Sequence, residues 1–351
     1  MTVPRTPGFG FGQDSGTFAG RVGVEIAGTG HALPERVLTN ADLEKVMDTS
    51  DEWIVQRTGI RQRHIIDRSK GESTTTLAAR ALSGALSNAG MTARDLDLII
   101  CATMTPEMSC PVVSNRVSAL LGAGQIGTFD LVGACSGFVY GLNVAHDLVR
   151  GGAYRAVGLV GVDTLSQFMD YSTEGRGTAI LFGDGGGAAV LRATPDVRKG
   201  IIAQAMHSDG EAWKEIYIPR CALDFPPGVT PDPAKHNRVQ MNGAGVFKFA
   251  VLKFPALIEE TLQRANLTPA DIDMYVCHQS NRRILDAARE RFGLPPEKLY
   301  INIDRIGNTS AGSVAICLDE VRRAGRVKPG DKVMFLAFGA GLTWASSLWQ
   351  M

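Results

Sequence analysis

Residues 86–101, LSNAGMTARDLDLIIC, recur at residues 262–277 as LQRANLTPADIDMYVC, a constant offset of 176 positions. Leucine, alanine, threonine, both aspartates and the closing cysteine coincide, and most other positions exchange one apolar residue for another. Each copy reads as a helix end, a Thr-x-x-Asp turn of capping-box type and a buried strand. Any two helix-turn-strand units of an α/β chain share some likeness, but this offset persists beyond the matched stretch. It carries Cys135, in LVGACSGF, onto Ala311, in GNTSAGS, and both are small-residue loops that open an apolar helix. Two copies of one half, facing each other across a pseudo-twofold axis, bring equivalent loops together in a central cleft.

Strands are expected at VGVEIAGTG, LDLIICAT, TFDLVGA, AVGLVGVD and GAAVLRA, then at IDMYVCHQ, LYINIDRI and KVMFLAFGAG. Alternation with helices predicts a layered α/β architecture with helices on both faces of buried strands. The 351 residues, 44% of them hydrophobic, suffice for two domain-sized units. Residues 1–20, rich in glycine and lacking an apolar stretch, read as a flexible arm rather than a signal peptide. The halves then span 21–195 and 196–351.

Lysine plus arginine balance aspartate plus glutamate at 36 each, so no net charge invites nucleic acid or a membrane surface. No run of apolar residues is long enough to span a bilayer. The six cysteines show neither metal-ligand nor disulfide-scaffold spacing, which fits a reduced, cytosolic protein without a bound metal.

Cys135 follows the strand FDLVGA and precedes SGFVYGLNVAHDLVRGG, where Phe138, Leu142, Ala145 and Val149 fall at helical spacing. A thiol at a helix N-terminus meets free N–H groups and the positive end of the macrodipole, which favour the thiolate. Gly133-Ala134-Cys135-Ser136-Gly137 is a cysteine version of a nucleophile elbow. Free cysteine is more often a small core hydrophobe, and Cys110, Cys221 and Cys317 are read that way. His278 ends the strand IDMYVC, followed abruptly by Gln279, Ser280 and Asn281, at the strand end where open α/β sheets carry their sites. The other five histidines are read as structural. Asn308 is a third polar candidate, or a turn residue. Cysteine, histidine and asparagine from three loops supply a nucleophile and two donors for an oxyanion or enolate. GAGQIG (122–127) leads from helix into strand, the reverse of a dinucleotide loop. GDGGGA (183–188) reads as a turn and close-packing feature.

With LTNADLEKVMDTSDEWIVQRTGIRQRHI, ACSGFVYGL, GRGTAILFGDGGGAAVL, HQSNRRI, DRIGNTSAGS and AFGAGLTW in this order, the chain resembles β-ketoacyl-acyl-carrier-protein synthase III from about residue 22 onward. The resemblance implies the thiolase fold: two pseudo-symmetric halves in an α-β-α-β-α sandwich, one half with the nucleophile, the other with histidine and asparagine. It implies Cys135, His278 and Asn308 as the catalytic triad, and the N–H groups of Cys135 and Ala340 as the oxyanion hole. Trp53 and Arg176 then sandwich the coenzyme A adenine, and Thr49, Arg57 and Asn281 line the coenzyme A and pantetheine tunnel. Lys248 and Arg283, extended by Lys253 and Arg282, would receive an acidic carrier protein. The implied reaction condenses an acyl-CoA primer with malonyl-acyl-carrier protein, without a cofactor, in a homodimer. Ala340 replaces a glycine of some relatives, and Cys110 replaces a phenylalanine that walls the partner subunit's acyl pocket. Residues 215–238 look longer and richer in proline than the corresponding loop.

Three rival readings remain at this point. An acyltransferase would pass the acyl group to a small-molecule acceptor. A cysteine hydrolase would need an acid partner for His278 and a single unrepeated sheet. A non-catalytic acyl-binding subunit would have no need of all three polar residues.

Overall fold

The structure, a computed structural model, describes residues 22–351; the arm expected over residues 1–20 lies outside the described residues. The first half runs β1 (Gly23–Ala32), β2 (Val37–Thr39), α1 (Asn40–Leu43), α2 (Asp51–Thr58), β3 (Gln62–His64), α3 (Thr74–Ala89), β4 (Leu98–Ala102) and α4 (Val113–Leu121). It continues through β5 (Gly127–Leu131), α5 (Gly137–Arg150), β6 (Ala156–Thr164), α6 (Arg176–Ala179) and β7 (Asp184–Thr194). The second half begins with β8 (Gly200–Ser208), β9 (Ile216–Tyr217), β10 (Gln240–Met241), α7 (Gly243–Ala265) and β11 (Met274–Cys277). It ends with α8 (Arg282–Arg291), α9 (Ile303–Ile306), α10 (Gly312–Arg323), β12 (Lys332–Gly339) and β13 (Thr343–Gln350).

One sheet has the order β1-β7-β6-β4-β5, the other β8-β13-β12-β11. Helices α5 and α10 lie between the sheets and share one core with the inward faces of both. Helices α3 and α4 cover the far face of the first sheet, and α7 and α8 that of the second. Strand alternation decides the sides: Leu98 and Ile100 point to the central layer, Ile99 and Cys101 to the outer one. In the second copy Met274 and Val276 point inward, Tyr275 and Cys277 outward. This is the layered α/β sandwich that the repeat predicted, of the thiolase type that the resemblance implied.

The duplication holds at the level of single hydrogen bonds. Thr92 and Asp95 form a capping box, as do Thr268 and Asp271. The Asp97 N–H donates to the Ala156 carbonyl (2.9 Å), and the Asp273 N–H to that of Lys332 (3.0 Å). Leu98 pairs with Val157 and Met274 with Val333, the same register 176 residues on. Beyond β6 the offset changes, because residues 165–183 form a long excursion that the 340–342 turn lacks.

Three expectations need correction. LYINIDRI is not a strand: Leu299 makes one bridge to Tyr275, and α9 begins at Ile303. The Gln279 side chain takes over the ladder, donating to the Tyr300 carbonyl (3.1 Å) and accepting from the Asn302 N–H (3.1 Å). GDGGGA is not a turn but the start of β7, where the close-packing reading does apply. A Cβ on Gly187 would stand 2.6 Å from the Ala315 backbone, so the bare strand lets α10 settle onto it. Strands β8 and β13, absent from the sequence reading, are the counterparts of β1 and β7.

Arg63 is fully buried on β3 and holds the loops beneath Asn308. Its guanidinium donates to Asn40 Oδ1 (2.9 Å), the Leu38 carbonyl (3.2 Å) and the Ile180 carbonyl (2.7 Å). Burial pulls its pKa down to about 10. Next to it the Gly183 N–H donates to the Asn308 carbonyl (3.0 Å), and the Asn308 N–H to that of Leu181 (2.9 Å). Arg63→Met orphans three acceptors, each worth about 1–3 kcal/mol, against relief from burying the cation. The expected net loss is about 2–4 kcal/mol, read as a lower urea midpoint at unchanged slope; an unshifted midpoint would show that the guanidinium holds nothing.

Candidate active site

Cys135 sits where the chain leaves β5 for α5. Ala134 takes φ +46°, a left-handed conformation that is costly for a residue with a side chain, and a 3₁₀ turn over Ala134–Ser136 enters the helix directly. The equivalent Ser310 takes φ +49° just before Ala311 and α10. Both halves therefore carry the same elbow, and only the first carries sulfur. Gly339, ending β12, faces that sulfur: a Cβ there would lie 2.8 Å from the Cys135 nitrogen.

Cys135, His278, Asn308 and Ala340 all line one cavity of about 450 Å³, with Phe182, Phe338 and Leu342 among its apolar walls. His278 is held from three sides. Its N–H donates to the Leu336 carbonyl (2.8 Å), its Nδ1 pairs with Ser313 Oγ (2.6 Å), and its ring meets Phe338 edge-on at 5.5 Å. Burial lowers its pKa to about 3, so the imidazole is neutral. Asn308 Oδ1 accepts the Ser310 N–H (2.9 Å). Among the described residues, His278 Nε2 and Asn308 Nδ2 have no partner.

The expected acidity of Cys135 is overturned. The thiol is 8% exposed, and burial pushes it up to about 12. A hydrogen bond from Ser310 pulls the other way and is outweighed. Desolvation beats the helix end here because the charged form would lie in an apolar cavity. At rest Cys135 is a neutral thiol.

Trp53 and Arg57 line the outer cavity. Arg57 and Arg176 each stand over the Trp53 ring, at 4.4 and 5.1 Å from its centroid. Thr49 lies outside the lining residues, with its hydroxyl buried and unpartnered. Asn281 lines the cavity, but its amide is committed: Nδ2 donates to the Arg57 carbonyl (3.0 Å) and Oδ1 caps α8 at the Arg283 N–H (2.9 Å). Ser280, which sequence reasoning noted without assigning a role, lines the same wall with an unpartnered hydroxyl. Lys248 is exposed on α7, and Arg283 lies over Phe247 at 5.1 Å. Lys253 is drawn to Trp344 (4.8 Å), and Arg282 is paired with Asp286 (2.8 Å). Cys110 is exposed and outside the cavity, so within one chain it walls no pocket. Ile216, inside the 215–238 loop, and Met241, just after it, do line the cavity. Ser313 stood inside a quoted motif, yet its partner across 35 residues is a matter of folding.

Among the described residues no cluster of side chains could hold a metal ion, and no helix is long and apolar enough to cross a membrane.

Residues 129–210 match the family model of 3-oxoacyl-[acyl-carrier-protein (ACP)] synthase III, and residues 262–351 that of its C-terminal part. The β-ketoacyl-[acyl-carrier-protein] synthase III of Caldanaerobacter subterraneus is 46% identical over 335 residues, 93% of this chain and 98% of its own. The solved β-ketoacyl-[acyl carrier protein] synthase III of Thermus thermophilus is similar with a TM-score of 0.87 at 42% identity, across 93% of this chain and 98% of that one. The priming β-ketosynthase of the R1128 polyketide biosynthetic pathway is similar with a TM-score of 0.85 at 32% identity, across 94% and 97%.

With a thiol near 12, the thiolate fraction rises tenfold per pH unit throughout the neutral range. Iodoacetamide should therefore inactivate the free enzyme about tenfold faster for each unit from pH 7 to 9. A plateau near pH 7 would mean that the helix end has won after all.

Proposed function

The chain belongs to the 3-oxoacyl-[acyl-carrier-protein] synthase III family, and from that premise we propose how its residues divide the work. The enzyme condenses an acyl-CoA primer with malonyl-acyl-carrier protein, releasing carbon dioxide and giving 3-oxoacyl-carrier protein, the first condensation of fatty acid synthesis. The observation that carries the division of labour is the single cavity onto which Cys135, His278 and Asn308 open.

In the first stage the Cys135 sulfur attacks the thioester carbon. The N–H groups of Cys135 and Ala340 receive the oxyanion, and the bond to the coenzyme A sulfur breaks. The proton leaving Cys135 ends on coenzyme A, so the exchange is proton-neutral and a high thiol pKa is no obstacle to it. In the second stage the malonyl carboxylate departs as carbon dioxide, leaving its electron pair as a thioester enolate. His278 Nε2–H and Asn308 Nδ2–H stabilise the enolate oxygen, each worth about 3 kcal/mol in the transition state. The carbanion forms the new carbon–carbon bond to the acyl carbon, Cys135 departs as thiolate, and one proton from water restores the thiol. The reaction so written draws on no metal or cofactor.

The adenine of coenzyme A enters between Trp53 and Arg176, parting a contact that already exists between them. Thr49 and Arg57 flank its path. Asn281 shapes the tunnel, and the buried, unpartnered hydroxyl of Ser280 stands in the same wall. Lys248 and Arg283 receive the carrier protein, and Lys253 and Arg282, each already engaged, add to the positive field. All six cysteines are unpaired, which suits a reducing cytoplasm.

The strand β5 supports the reading of a homodimer. Among the described residues it pairs only with β4, which leaves its outer edge open. Phe129 on it, Val132 just after it, and Met108 and Leu120 nearby are exposed. An apolar open edge calls for a second copy, joined edge to edge about a twofold axis. The same docking brings the exposed Cys110 toward the partner's acyl pocket.

Two outcomes test this reading. Incubation with acyl-CoA should add the acyl mass to the peptide holding Cys135, and His278→Ala or Asn308→Ala should keep that adduct while slowing malonyl decarboxylation about a hundredfold; an adduct on another residue would sink the assignment. Phe129→Lys with Val132→Lys should turn the dimer into a monomer by light scattering, and an unchanged mass would refute the β5 interface.

A further inference from the structure

His278 has two neutral tautomers with opposite uses. A proton on Nε2 makes the ring a donor to an oxygen in the cavity; a proton on Nδ1 makes Nε2 a base. The partner of Nδ1 decides between them, and that partner is Ser313 Oγ at 2.6 Å. Ser313 lies in the first turn of α10 and is buried.

The serine oxygen also faces the Gln279 N–H at 3.4 Å. A backbone N–H can only donate, so the oxygen accepts there, and among the described residues the hydroxyl hydrogen has no acceptor other than Nδ1. We propose that Ser313 is a positioning residue that holds His278 as the Nε2–H tautomer, a standing donor to the thioester carbonyl of the extender substrate. Asn308 is wired alike: its oxygen is occupied by the Ser310 N–H, leaving its NH₂ for the cavity. Ser310 and Ser313 belong to one elbow, so a single turn of chain commits both groups to donating. Burial keeps the imidazole neutral near pH 7, which leaves the tautomer as its only degree of freedom.

The inference rests on the role given to His278 above, and its test separates the two. In enzyme carrying ¹⁵N-histidine, with the His278 signals assigned against His278→Gln, the wild-type ring is expected as Nε2–H. Ser313→Ala should populate Nδ1–H and slow malonyl decarboxylation on the order of tenfold, a milder form of the tautomer error known from catalytic triads. It should leave acylation of Cys135 within twofold, and Ser313→Thr should restore both the tautomer and the rate. A wild-type Nδ1–H ring, measured without any variant, would overturn the proposal, as would a Ser313→Ala ring still wholly Nε2–H. A His278→Ala enzyme that still decarboxylates would overturn the ring's catalytic role and leave the tautomer result standing.

Discussion

Everything in this molecule depends on how closely two helices are pressed between two sheets. A Cβ on Gly161 of β6 would come within 2.3 Å of the Ala311 carbonyl, and one on Gly312 within 2.5 Å of the Gly185 carbonyl. Backbone therefore rests on backbone at the crossing of the halves. That contact brings the amino ends of α5 and α10 side by side, and each end carries the loop that matters. Were the helices one side chain further apart, Cys135 would not share a cavity with groups 143 and 173 residues away in sequence.

The same close packing explains the electrostatics. A sulfur so deeply buried is a poor acid, whatever the helix beneath it offers, and the imidazole lining the same cavity is a poor base for the same reason. The site holds neutral groups that donate hydrogen bonds. Such a site suits chemistry in which charge appears on substrate oxygen and is discharged again, because fixed donors in a buried cavity cost no reorganisation when that charge develops. Thioester exchange, with one thiol entering and another leaving, asks for no stored charge.

The frame of the fold was legible because it was written twice. One offset placed the paired strands, the capping boxes and both elbows, down to Ala134 and Ser310 in the same left-handed conformation. The sequence misled where a side chain replaced a backbone ladder, as Gln279 does beside Tyr300, since a strand-like pattern says nothing about who pairs with it. It misled on the thiol because the helix start is a local feature and desolvation is not. Cys135, His278 and Asn308 could be named from motifs. Ser313, Arg63 and the free hydroxyl of Ser280 could not, because their meaning lies in partners set by folding.

The duplication also shows how differently the two elbows are used. Asp163 of β6 and Gly339 of β12 are equivalent, 176 residues apart. In the first position the Asp163 carboxylate takes the N–H of Ala311 (3.2 Å), together with the Met104 N–H (2.9 Å) and the hydroxyls of Thr103 and Thr105. The elbow amide there is spent on a buried carboxyl group of the protein, and Ala311 is sealed. In the second position glycine stands beside the Cys135 amide, where any side chain would collide with it. What is a carboxylate in one half is a bare glycine packed against the elbow backbone in the other. The same elbow was thus built twice: in one copy its amide is taken by the protein's own aspartate, and in the other the equivalent amide is that of Cys135, to which the proposed mechanism assigns the oxyanion.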